Sequence, residues 1–112
     1  EIGTVGMTEA EAREAGFDPV VGQMPLRANG RALTLDERAG FVRIVADADT
    51  EFLLGAQIVG PEASELIAEV GLGIELGARL EDIAGTIHTH PTLSEAVHEA
   101  AKAARGAAIH TR

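Results

Sequence analysis

The sequence predicts an α+β fold, an antiparallel β-sheet covered by helices. Three observations lead there. Strand-like segments come first along the chain and helix-like segments second, an order that favours segregated layers over a doubly wound sheet. Two strand-like segments, Gly40 to Asp47 and Phe52 to Val59, are separated only by the turn residues Asp47-Ala-Asp-Thr-Glu51 and so pair as an antiparallel hairpin. Finally, 112 residues, 46% of them apolar, suffice for one domain with a real core.

Each element has its own signal. Glu1 to Gly6 reads as a strand, and a chain that opens directly in a strand reads as a cut inside a larger protein. Thr8-Glu-Ala-Glu11 is a capping box that starts a helix through Ala15, with Gly16 as its stop. Pro19 to Leu26 alternates weakly and reads as a strand. Arg27 to Glu37 is a polar connector with at most one helical turn. In Gly40 to Asp47, Phe41, Arg43 and Val45 take one side and Val42, Ile44 and Ala46 the other. Pro61 suits the first turn of a helix from Glu62 to Leu76, with Leu66, Val70, Ile74 and Gly77 along one face and Ile67 beside them. Leu80 to Ile87 reads as a shorter helical piece. Thr92 to Arg105 is the last helix, with Leu93, Val97 and Ala101 at its apolar spacing, and residues 106–112 read as a frayed tail.

Composition narrows the function. The net charge is −9, with one lysine and eight arginines, so nucleic acid and anionic membranes are poor partners. The same acid-rich, lysine-poor balance suits work in high salt. Cysteine is absent, which excludes disulfides and thiol chemistry carried by this segment. No apolar run approaches the length of a membrane span and no signal-peptide pattern is present, so a cytoplasmic setting is expected.

The chemistry concentrates in Gly85-Thr-Ile-His-Thr-His-Pro-Thr-Leu-Ser-Glu95. Pro91 restricts His90 to an extended conformation and keeps it out of the following helix. The helix turns Glu95 back toward His90, where the carboxylate can take a proton from one ring nitrogen and leave the other facing outward. This is the wiring of a general base. Thr92-Leu-Ser-Glu95 is also a capping box, which explains Glu95 without catalysis. A zinc site is a third reading, since His88 and His90 project to the same side of an extended segment. His98 and His110 read as solvent-facing. Gly71-Leu-Gly-Ile-Glu-Leu-Gly77 falls short of a dinucleotide fingerprint, because its third glycine is late and the run sits inside a helix. Arg27, Asn29 and Arg31 form a polar cluster that is either a solvated loop with a turn at Asn29-Gly30 or a loop lining an interface.

Taken in order, Ile2-Gly-Thr-Val-Gly-Met-Thr-Glu9, Ala28-Asn-Gly-Arg-Ala32, Gly40-Phe-Val-Arg-Ile-Val-Ala-Asp47, Leu54-Gly-Ala-Gln-Ile-Val-Gly-Pro61, Ala63-Ser-Glu-Leu-Ile67 and His88-Thr-His-Pro-Thr-Leu-Ser-Glu95 carry a resemblance. They resemble the C-terminal interface (dimerisation) domain of the pyridine nucleotide-disulfide oxidoreductases, most closely the dihydrolipoamide dehydrogenases. The histidine pair with its proline also resembles the core of JAMM-type zinc isopeptidases, but His98 and Ala101 stand where that family places its serine and aspartate.

The oxidoreductase resemblance implies that residues 1–112 are a single C-terminal dimerisation domain, a fragment of a larger flavoenzyme that uses FAD and NAD. It implies a homodimer in which the His-Pro segment of one subunit reaches the flavin and disulfide of the other. His90 would take the proton of the dihydrolipoyl thiol, Glu95 would orient it, and His88, His90 and Pro91 would line the partner's flavin. The bond before Pro91 would be cis. The outside partner would be the lipoyl domain of a 2-oxo acid dehydrogenase complex or of the glycine cleavage system. No resident metal is implied. The alternatives that remain are a zinc-dependent hydrolase built on His88 and His90, or a purely structural dimerisation module.

Overall fold

The computed structural model describes residues 1–36 and 39–111. Its elements are β1 (Ile2–Gly6), α1 (Glu9–Glu14), β2 (Pro19–Pro25), a 3₁₀ turn (Leu26–Ala28), α2 (Gly30–Thr34), β3 (Phe41–Asp47), β4 (Leu53–Val59), α3 (Ala63–Glu75), α4 (Leu80–Ala84) and α5 (Glu95–Thr111). The four strands form one antiparallel sheet in the order β1-β4-β3-β2. The hairpin expected from the sequence is the β3–β4 pair, with Phe41 opposite Val59 and a register shift between Val45 and Ala46.

The alternation in β3 sets the two faces. Val42, Ile44 and Ala46 are fully buried in the main core. On the other face, Val45 is buried with Ala12 of α1 and Leu54 of β4. Arg43 there lays its guanidinium over the Phe41 ring, 5.0 Å from the centroid, and donates from Nε to Gln23 Oε1 at 3.0 Å. α3 covers β1 and β4, α5 covers β2 and β3, and α4 packs beside α5. The sheet thus carries its long helices as the layered reading requires.

Alanine makes this layer thin. Ala96, Ala100, Ala104 and Ala108 recur every fourth residue along α5, and all are fully buried. Gly22 of β2 lies beneath them, and a Cβ at Gly22 would come within 2.0 Å of the Ala100 carbonyl oxygen. Helix backbone therefore rests almost directly on strand backbone. A core built this way gains from many close contacts and has little room for aromatic rings.

The caps explain several boundaries. At α1, Thr8 N donates to Glu11 Oε1 (3.0 Å) and Glu11 N to Thr8 Oγ1 (3.2 Å), the capping box read from the sequence. Gly77 does not continue the face of α3. Its φ of +69° makes it the stop after Leu76, with Ala78 N donating back to Gly73 O at 2.8 Å.

Three boundaries differ from expectation. The connector holds a 3₁₀ turn and α2, capped by Asn29; Glu37, at its end, lies outside the described residues. α4 stops at Ala84 because Gly85 closes it, leaving residues 86–94 irregular. α5 starts at Glu95 instead of Thr92, since Leu93 and Ser94 form a turn whose carbonyls accept from Ala96 N and Val97 N. It also continues through Gly106 to Thr111, where the sequence suggested a frayed tail over 106–112. Ala108 is fully buried and Ala107 packs on the core, and that packing outweighs the helix-weakening effect of Gly106. Arg112 lies outside the described residues.

Candidate active site

Residues 85–95 connect α4 to α5 and present the two histidines in opposite ways. The His90–Pro91 bond is cis. The His90 side chain is 75% exposed, and its Nδ1 lies 2.9 Å from Glu95 Oε1 and 3.0 Å from Oε2. Nε2 makes no hydrogen bond among the described residues. The ring is thus gripped at one nitrogen, while the other faces solvent as a potential proton acceptor.

Glu95 is held in turn. Thr92 N donates to Glu95 Oε1 at 3.0 Å. This is one half of the capping box read from the sequence. The other half is absent, because the Thr92 hydroxyl donates to Thr89 O and contacts Ser94 Oγ instead. The Thr92 N–H holds the Glu95 carboxyl below its usual range; partial burial opposes this, and the hydrogen bond and charge of His90 add to it. A carboxylate kept ionised keeps Nδ1 of His90 in the role of donor.

His88 is turned inward. Its side chain is 6% exposed, with Nε2 2.7 Å from Glu69 Oε2 and Nδ1 2.9 Å from Thr86 O. Both ring nitrogens face oxygen acceptors, so His88 is committed to structure on two sides. That removes the premise of the zinc reading, which needs His88 and His90 to converge. Among the described residues no group of three or more His, Asp or Glu is placed to hold a metal ion. His98 is not solvent-facing as expected. Its ring packs against His88, with centroids 5.1 Å apart, and its Nδ1 is buried without a hydrogen bond among the described residues. The side chain of His110 lies outside the described residues.

Two residues of this neighbourhood were not singled out as its members from sequence. Glu69 sits on α3, 19 positions before its partner His88, and no local spacing links them. Asn29 carried a readable cap signal, an Asn before a short helical run. Its reach to Thr92 did not show. Of the polar cluster, Asn29 is buried at 3% exposure, whereas Arg27 and Arg31 are exposed. Asn29 is therefore neither a solvated loop residue nor part of an Asn-Gly turn. The glycines at 71 and 73 lie inside α3, and a Cβ at Gly73 would come within 2.8 Å of Leu53 Cδ1, a close-packing role.

An antiparallel sheet under helices is the architecture of the disulfide-reductase dimerisation domains, and here it carries an exposed histidine–carboxylate pair on a proline turn. The family model described as the pyridine nucleotide-disulphide oxidoreductase dimerisation domain matches residues 1–101, and the chain belongs to that family. It is a dimerisation domain of the dihydrolipoyl dehydrogenase type. It is 84% identical over its whole length to dihydrolipoyl dehydrogenase 2 of Haloarcula marismortui, covering 24% of that protein. It is 73% identical over 99% of its length to dihydrolipoyl dehydrogenase of Haloferax volcanii, covering 23% of it. Among solved structures, the HOCl-induced flavoprotein disulfide reductase RclA from Escherichia coli superposes with a TM-score of 0.85 at 31% identity, over 90% of this chain and 23% of that one. The chain thus spans about a quarter of the curated relatives' length.

Proposed function

We propose that this chain is the dimerisation domain of a longer, homodimeric dihydrolipoamide dehydrogenase of the cytoplasm, and that His90 is the base acting at the partner subunit's site. The observation that carries the reading is His90 itself: exposed, fixed at Nδ1 by Glu95, and open at Nε2.

The proton path follows from that geometry. The dihydrolipoyl S–H proton moves to His90 Nε2, leaving a thiolate and an imidazolium. Glu95 accepts the Nδ1–H throughout, so the cation forms beside a carboxylate. This orientation fixes the tautomer and avoids a search through ring rotations. FAD and NAD supply the electron transfer when bound. This chain has no cysteine, so the redox disulfide lies in the rest of the protein. The His88 imidazole is turned inward, so the contact of His88, His90 and Pro91 with the partner's flavin runs through the exposed turn and its backbone. Alone, the chain is inert and binds no FAD.

The face the partner covers is the apolar groove beside this turn. Leu72, Leu76 and Ile87 line it and are 61%, 74% and 93% exposed, unusual for large aliphatic side chains grouped together. The thiol substrate arrives on a lipoyl domain, of a 2-oxo acid dehydrogenase complex or of the glycine cleavage system.

The test is an absorption spectrum of the full-length protein before and after dihydrolipoamide, followed by kinetics of His90→Ala. The expected result is a flavin spectrum that gains a long-wavelength thiolate-to-flavin band, and a turnover loss of ~10²–10⁴-fold in the dimeric variant. A colourless protein would sink the enzyme assignment. Unchanged turnover in His90→Ala would reduce the chain to a structural dimerisation module.

A further inference from the structure

We propose that Asn29 is a positioning residue for the His90–Glu95 pair, holding the turn that carries it against the N-terminus of α2. The inference depends on the base reading above and extends it to a residue far away in sequence.

Asn29 and Asp47 are the buried polar residues among those described. Asp47 is explained by its own turn, where its carboxylate accepts from Thr50 N, Thr50 Oγ1 and Asp18 N. Asn29 does two things at once. Its Oδ1 accepts from Ala32 N at 2.9 Å, the cap of α2. Its Nδ2 donates to Thr92 O at 3.0 Å, across 63 residues of sequence.

The cap alone does not require an amide. Serine or aspartate caps as well, because only an acceptor is needed. The NH₂ group is what asparagine adds, and the Thr92 carbonyl is where it goes. Thr92 is the residue whose own N–H donates to Glu95 Oε1, and Glu95 holds His90. A connected path therefore runs from α2 through Asn29 and Thr92 to Glu95 and the imidazole. The packing agrees: a Cβ built on Gly30, next to Asn29, would lie 3.8 Å from His90 Cε1, so the start of α2 abuts the ring edge. His88 anchors the turn on one flank through Glu69, and Asn29 anchors it on the other.

The experiment uses the full-length flavin-loaded dimer and the variants Asn29→Ser and Asn29→Asp. Both keep an acceptor for Ala32 N; the aspartate carboxylate has no donor for Thr92 O, and the serine hydroxyl sits one atom short of the position from which Nδ2 donates. We expect thermal unfolding and flavin content close to those of the unsubstituted protein. We expect kcat with dihydrolipoamide to fall about 10–100-fold, the scale of a misplaced catalytic group. KM should stay close to the parent value, because the base is misplaced while the surface that meets the substrate is not. Unchanged kcat in either folded variant, or a change confined to KM, would overturn the proposal. So would a loss that only matches the fall in folded, flavin-loaded protein. Should Asn29→Ser misfold, Asn29→Asp carries the same decision. His90→Ala separates the two levels. If it keeps full turnover, the base reading falls and this inference with it. If it loses turnover while the Asn29 variants do not, only the inference falls.

Discussion

The imidazoles of His88 and His90 are 6% and 75% exposed, although only one residue separates them. An extended segment would put them on one side. The segment from Thr86 to His90 is not a strand, and His88 folds back toward Thr86 O and across to Glu69. That commitment leaves His90 as the exposed ring. Its partner Glu95 gives a prediction in pH. The carboxyl is lowered from 4.5, first by the Thr92 N–H and to a lesser degree by His90. A group more acidic in the folded state stabilises the fold above its unfolded value, and that contribution is lost as pH falls through the depressed folded value. The turn should therefore keep its order at pH 5 and lose it in stronger acid. Carboxyl ¹³C titration should place the Glu95 midpoint below 4.5, and His90→Ala should return only part of the shift. Full restoration in that variant would mean that the Thr92 bond is not the main cause.

Element boundaries show where local signals suffice. The strand alternation of β3, the capping box of α1 and the apolar face of α3 were all legible, because each depends on neighbours within about one turn or one pleat. The His90–Glu95 contact was legible for the same reason, since the two are five residues apart. The inward turn of His88, the packing of His98 on His88 and the tie from Asn29 to Thr92 were not. Their causes lie on α3, on the segment after α4 and on α2, and no spacing encodes such contacts. The end of α5 was misjudged because glycine often ends helices, whereas here the alanine stripe continues beyond Gly106 onto the core. The stripe predicts opposite outcomes for two glycines. Gly22→Ala would drive a methyl into the Ala100 carbonyl and the Ala104 backbone nitrogen, at 2.0 and 2.3 Å. Strand or helix must then move, at a cost of about 1–3 kcal/mol or more. Gly71→Ala, inside α3, would meet only Val5 Cγ2 at 3.6 Å, an ordinary contact. It should be neutral or stabilising by up to ~1 kcal/mol through helix propensity. Urea unfolding midpoints of the two variants decide the matter, and equal effects would contradict the thin-layer packing.

Over the whole molecule the dominant fact is charge. A net −9 is carried on a body with a Cα radius of gyration of 13.0 Å. The screening length is about 10 Å at 0.1 M salt and about 3 Å at 1 M, so at low salt acids across the molecule still repel one another. Among the described residues, Arg13 pairs with Glu9, Lys102 with Glu99, and Arg105 with Glu81, on exposed or half-exposed sites where an ion pair contributes little; Arg105 also pairs with the largely covered Glu51. Two acids are also placed against local fields. Glu14 and Glu75 are the last residues of α1 and α3, where the helix end is itself negative. Stability of the chain should therefore rise steeply with KCl up to about 1 M and flatten beyond, as the screening length stops changing much. Salt also strengthens apolar burial, so the rise alone does not isolate repulsion. The double substitution Glu14→Gln with Glu75→Gln separates the two causes. If repulsion governs, the variant unfolds at higher urea than the parent in 0.1 M KCl, and the difference vanishes in 2 M KCl. A gap of equal size at both concentrations would assign the salt response to burial instead.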